Sequence, residues 1–137
     1  MIYVDTNVIL DIVNGSPDWL NWSAGQLASA KASGRVVTGI VVAAEVAHYA
    51  ASAAQLETSF QALMIELVEA DLVAAWFAGQ AYREYRRRGG ERPSLLPDFV
   101  IGGHAAALGA TLLTRDPRRF RSYFPDLPLI APDTDHG

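Results

Sequence analysis

Ile2-Tyr3-Val4 is a short apolar run with no polar alternation, and it stops at an acid, Asp5. A strand with one face in water alternates apolar and polar residues. A strand of a parallel sheet is covered on both faces and reads as a continuous apolar run. The signature recurs at Thr111-Leu112-Leu113-Thr114, with Asp116 just beyond. Longer stretches with helical character separate such runs, so the expected class is α/β with a mainly parallel sheet. Parallel strands need long crossovers, and helices supply them.

Local signals place the elements. Thr6 or Asn7 can cap a short helix to about Val13, which Asn14-Gly15 breaks. Ser16-Pro17 reads as an N-cap with proline in the first helical position, opening a helix to about Ser33. Arg35 to Thr38 is a second strand. Helical stretches follow at Val41–Ala51 and Ala54–Ile65, and Leu67-Val68 is a short strand. Asp71 caps a helix from Leu72 to Arg87, Glu91 to Leu96 is a loop, and Pro97-Asp98 opens a helix to Leu108. Pro117 to Phe120 is at most a helical turn. Leu129-Ile130, between prolines, is an edge strand. One domain over residues 1–132 is expected, with a disordered tail at 133–137.

The chain has 137 residues and no cysteine, which excludes disulfides, thiolate metal sites and cysteine nucleophiles. No apolar run reaches the ~20 residues of a membrane span, and no signal-peptide pattern is present. A cytoplasmic protein without membrane contact is expected. Net charge is −4, so bulk charge does not favour nucleic acid. The distribution is more telling. Ten of eleven basic residues are arginine, five of them between Arg83 and Arg92 and four between Arg115 and Arg121. Arginine's planar fork matches phosphate, though such runs are also ordinary solvated faces.

Four acids sit where a parallel sheet would deliver them to one edge: Asp5, Glu45, Asp98 and Asp116. Ligands of open α/β sheets bind beyond the carboxyl ends of the strands, and the four converge if the strands bearing Asp5 and Asp116 are neighbours. Taken singly, each aspartate also reads as a cap. Glu45 is harder to dismiss, because Val41, Val42, Ala43, Ala44, Val46 and Ala47 surround it. It would pair with His48, with an arginine, or with a metal ion. Clustered carboxylates repel, and a hard divalent cation with oxygen ligands relieves them.

These stretches resemble the PIN-domain ribonucleases, and among them the VapC-type toxins of bacterial toxin–antitoxin pairs. The matching pieces are Tyr3-Val4-Asp5-Thr6-Asn7, Ala44-Glu45-Val46, Pro97-Asp98-Phe99-Val100-Ile101-Gly102 and Leu112-Leu113-Thr114-Arg115-Asp116-Pro117. Each is weak alone; the ordered set covers nearly the whole chain. The resemblance implies a three-layer α/β/α sandwich and metal-dependent endoribonuclease activity with Mg²⁺ or Mn²⁺. It implies Asp5, Glu45, Asp98 and Asp116 as catalytic acids, with Asp5, Asp98 and Asp116 on the metal. Asn7 and Thr114 match supporting positions. It also implies an RNA substrate such as tRNA or rRNA, a VapB-type antitoxin, and a homodimer or larger assembly with that antitoxin. Two departures stand out: no serine or threonine lies nearer Glu45 than Thr38, and Gly89 to Leu96 has no counterpart.

Arg115, Arg118 and Arg119 are candidate contacts to RNA phosphates. His48 and His104 read as packed or hydrogen-bonded, and no histidine pair has zinc spacing. Trp19 and Trp22 could form a partner surface. A phosphatase using Asp5 as nucleophile would want a second acid at position 7, where Asn7 stands. A housekeeping RNA-processing nuclease and a non-catalytic binding module are the remaining alternatives.

Overall fold

The computed structural model describes residues 1–132; the tail expected at 133–137 lies outside the described residues. The strands are β1 (Ile2–Val4), β2 (Val36–Thr38), β3 (Glu66–Leu67), β4 (Thr111–Leu113) and β5 (Leu129–Ile130). The helices are α1 (Thr6–Val13), α2 (Leu20–Ser33), α3 (Ile40–Ala47), α4 (Ala53–Leu63), α5 (Leu72–Arg87), α6 (Leu96–Ala107) and α7 (Arg118–Tyr123). They flank one sheet as an α/β/α sandwich. No helix among the described residues is long and apolar enough to cross a membrane.

Every strand pairing is parallel, and the order is β3-β2-β1-β4-β5. The chain therefore builds outward from β1 on one side, then crosses to its other side for β4 and β5. The gap between β1 and β4 is the point where the strand order reverses, and such a point opens a crevice beyond the strand ends. The two strands stay in step to their ends: Val4 lies opposite Leu113, and the Asp5 amide still bonds the Leu113 carbonyl at 2.9 Å.

The strands are only two or three residues long, so burial rather than ladder length fixes their register. Val4, Val37, Leu112 and Leu113 are fully buried, with Val8, Ile9, Val42, Phe99 and Ile101 packed around them from the helices. Several boundaries differ from the sequence reading. The second helix begins at Leu20 rather than Pro17, because Trp19 leaves helical geometry with φ −122° and ψ −8°. The third ends at Ala47, with His48 as its cap. The fourth stops at Leu63, where Met64 turns left-handed at φ 57°. The loop from Glu91 holds a 3₁₀ turn at Pro93–Leu95. The arginine-rich segment after Pro117 is a six-residue helix, since burial of Phe120 and Phe124 holds it down.

Two glycines set how closely helices approach. A Cβ on Gly39, which precedes α3, would lie 2.3 Å from the Tyr3 hydroxyl and 2.6 Å from His104 Nδ1. A Cβ on Gly103 of α6 would lie 2.5 Å from the Ala78 amide nitrogen and 2.8 Å from the Ala74 carbonyl of α5. The second obstacle is backbone, which cannot swing aside. Gly103→Ala is expected to force α5 and α6 apart and cost about 1–3 kcal/mol, read as a lower midpoint in urea or thermal unfolding.

Candidate active site

Asp5 follows β1 directly and is the N-cap of α1. Its Oδ1 accepts the Thr6 amide at 2.7 Å. Its Oδ2 accepts the Thr114 hydroxyl at 2.8 Å, and Asn7 Nδ2 lies 3.5 Å from the same oxygen. Thr114 Oγ1 in turn accepts the Asp116 amide at 3.0 Å, while Asn7 Oδ1 accepts the Arg115 amide at 3.1 Å. Asn7 and Thr114 thus lock the turn after β4 onto the turn after β1.

Glu45 comes from α3, whose neighbouring strand is tied in by the Thr38 hydroxyl donating to the Val4 carbonyl at 2.8 Å. Glu45 is half-buried and accepts the Thr6 hydroxyl at 2.5 Å. Asp98 lies in the first turn of α6, where unpaired backbone amides favour a negative charge. Its carboxylate pairs with Arg119 of α7. The four acids, with Thr6, Asn7, Leu10, Arg119 and Phe120, line one cleft of about 200 Å³.

Two of the acids, Asp5 and Asp98, are disfavoured in their charged form. Burial pushes the Asp5 carboxyl from its ordinary 3.8 up to about 6. Hydrogen bonds from Thr114 and Thr6 pull it back, and the charges of Asp98 and Glu45 add to the rise. Burial also raises Asp98, opposed by Arg119 and reinforced by Glu45 and Asp116. Among the described residues, no three His, Cys, Asp or Glu side chains are oriented as a ready ligand set. Asp98 is turned to Arg119, and Glu45 to Thr6. The donor chemistry nonetheless fits a hard divalent ion: carboxylate oxygens only, one of them buried and disfavoured when charged.

Of the residues singled out from sequence, the four acids, Asn7, Thr114 and Arg119 meet in this region. Arg115 does not face the acids. Its Nε and Nη2 make a bidentate pair with Asp11 at 2.9 Å each, and its guanidinium lies 5.1 Å from the Trp19 ring centre. Arg118 is exposed and lines a neighbouring hollow with Arg115 and Arg121. His48 is exposed against Tyr49, and among the described residues no hydrogen bond or ion pair joins it to Glu45. His104 is buried between the Tyr3 hydroxyl at 2.8 Å and the Glu69 carbonyl at 3.0 Å. A carbonyl only accepts, so His104 Nε2 donates to Glu69 and carries a proton. Trp19 and Trp22 pack edge to face at 5.9 Å.

Two contributors escaped the sequence reading. Thr6 is one, its hydroxyl hidden by its role in the helix start. Asp11 is the other: it is only 3 % exposed and also takes the Ser23 hydroxyl at 2.6 Å. Its signal was an acid three residues after Val8, on the face that α1 buries.

Residues 2–123 match the PIN domain family, and the chain belongs to that family. No curated protein sequence matches it. The fold is similar to that of VapBC2 from Rickettsia felis, bound to a fragment of its promoter DNA. There the TM-score is 0.74 and identity 22%, over 96% of this chain and 98% of the other. VapBC-1 from nontypeable Haemophilus influenzae gives 0.68 and 21%, over 96% and 98%. The FitAcB complex from Neisseria gonorrhoeae gives 0.65 and 19%, over 95% and 96%.

Two expectations follow. A carboxyl that holds its proton more tightly when folded contributes stability below its unfolded value, and that contribution is lost as pH rises through the folded value. Metal-free protein should therefore lose up to ~3 kcal/mol between about pH 4 and 6 on account of Asp5. Asp5→Asn should flatten that slope and raise stability near pH 7, measured by urea unfolding across pH in EDTA. Arg115→Gln leaves Asp11 buried without its cation. It is expected to cost about 3 kcal/mol in the same assay at pH 7.

Proposed function

We propose that this chain is a divalent-metal-dependent endoribonuclease and the toxin of a two-component toxin–antitoxin pair. The observation that carries the reading is the gathering of Asp5, Glu45, Asp98 and Asp116 into one cleft at the β1–β4 crevice, from segments 40, 53 and 18 residues apart. Clustering disfavours charged carboxylates unless a cation or a proton arrives. A fold that keeps them together at this cost has a use for the cation. Membership of the PIN family supports nuclease chemistry. Near end-to-end likeness to chains of VapBC and FitAcB complexes supports the toxin role and a VapB-type antitoxin as partner.

Asp5 and Asp98, with Asp116 beside them, would hold Mg²⁺ or Mn²⁺. When bound, the ion would supply charge neutralisation at the scissile phosphodiester and a more acidic water. Thr114 and Asn7 keep the Asp5 carboxylate oriented. Glu45, steadied by Thr6, orients the attacking water in line with the leaving oxygen. Arg118 and Arg119 contact the phosphates of an RNA strand entering from the α7 side, and such contacts make binding salt-dependent. Arg115 is committed to Asp11 and serves the turn that carries Asp116. The setting is cytoplasmic, with tRNA or rRNA as substrate and a homodimer or larger assembly with the antitoxin.

The test is incubation of partner-free protein with total RNA in Mg²⁺, Mn²⁺ or EDTA, with new 5′ ends mapped. Discrete cuts are expected that vanish in EDTA and fall by about a hundredfold or more in Asp5→Asn and Asp98→Asn. Cuts that persist in both variants would sink the assignment of the site. No cuts by folded protein in either metal would favour a binding module.

A further inference from the structure

Arg119 is the one cationic side chain among the described residues lining the four-acid cleft. Its guanidinium is paired with Asp98, and both side chains are about one-third exposed, at 33% and 32%. The backbone sets this pairing. Asp98 lies in the first turn of α6 and Arg119 in the first turn of α7. The next residue, Phe120, is 4 % exposed and fixes α7 in the core. Asp5 and Glu45 are satisfied by hydroxyl and amide donors, which orient a carboxylate without cancelling its charge. Among the described residues, Asp98 alone of the four is ion-paired with a cation lining the cleft.

We propose that Arg119 is a positioning residue for Asp98 and the resident counter-cation of the cleft, so that a divalent ion enters by displacing it. The inference rests on the metal-dependent reading of the site. One carboxylate cannot serve the guanidinium and an ion together at full strength, and the two cations repel at such short range. Arginine suits the role. Its guanidinium is weakly hydrated, stays charged at every working pH, and gives up a part-exposed carboxylate at little cost. Before loading, Arg119 offsets one of four like charges and holds Asp98 inside the cleft. After loading, it remains tethered at the rim. Metal affinity is then lower than the four acids alone would give.

Mn²⁺ titration of the partner-free protein tests this, with free Mn²⁺ read by electron paramagnetic resonance and no RNA present. Arg119→Gln is expected to bind Mn²⁺ roughly three- to tenfold more tightly than wild type. Arg119→Lys keeps the charge and is expected within about twofold of wild type. Arg118→Gln removes the same charge one residue away, and should also stay within about twofold. Arg119→Gln binding no more tightly than wild type would overturn the proposal. So would an equal gain in Arg118→Gln, or a lysine variant as tight as the glutamine one. Absence of Mn²⁺ binding in all four proteins would overturn the metal reading itself, and this inference with it. A second measurement needs only the wild-type chain. Mg²⁺ titration should shift the Arg119 side-chain ¹⁵N signal at the same midpoint as Mg²⁺ binding, and a static signal during binding overturns the displacement.

Discussion

The hydrogen bond from the Thr114 hydroxyl to the Asp5 carboxylate joins the two halves of this fold where the acids gather. It spans the crevice where the strand order reverses, between a residue after β1 and a residue after β4. Nearly everything in the site is referred to it. The Asp116 amide hangs from the same Thr114 oxygen. Asn7 takes the Arg115 amide and thereby repeats the link on its other side. Short strands make such ties necessary, because a three-residue ladder holds its end poorly without side-chain help. Burying a carboxylate is expensive; here it serves both as the cap of α1 and as the peg for the β4 turn.

The same burial disfavours the charged form of the carboxylate. Asp5 resists ionising because it is desolvated and faces Asp98 and Glu45. Three kinds of partner manage the excess charge. Hydroxyl and amide donors orient the oxygens of Asp5 and Glu45, and Arg119 neutralises Asp98. Asp11, a fifth acid, is held outside the cleft by Arg115 and Ser23. That outer pair braces the loop bearing Asp116 against α1 and the start of α2. The arginines nearest the acids thus divide into one that supports the scaffold and one that meets the site.

Much of this was legible in the residues. Val4 and Thr114 read as ends of buried strands, so Asp5 and Asp116 could be placed at one edge. Glu45 stood out because apolar neighbours left it few alternatives. Strand adjacency was not legible from periodicity: β1 pairs with β4 across more than a hundred residues, and nothing local encodes that choice. Asp11 was missed for a similar reason, since its partners Ser23 and Arg115 lie 12 and 104 residues away. Pro117 to Phe120 read as at most a helical turn, and burial of Phe120 and Phe124 extends it to a helix over Arg118–Tyr123. Glu45 found Thr6 rather than His48 because tertiary neighbours outbid sequence neighbours.

The strand order also has a consequence in time. A chain emerging from the ribosome offers Asp5 first, then Glu45, then Asp98, and β1 can pair with β2 early. The other wall of the crevice is β4, at residues 111–113. Until it has been synthesised, Asp5 lacks Thr114, and neither Asp116 nor Arg119 exists. Domains fold as units during synthesis, so this cleft closes as one of the last acts of making the molecule. A growing chain carries Asp5 for roughly a hundred residues before it carries a site. The interval separates making the parts from assembling them.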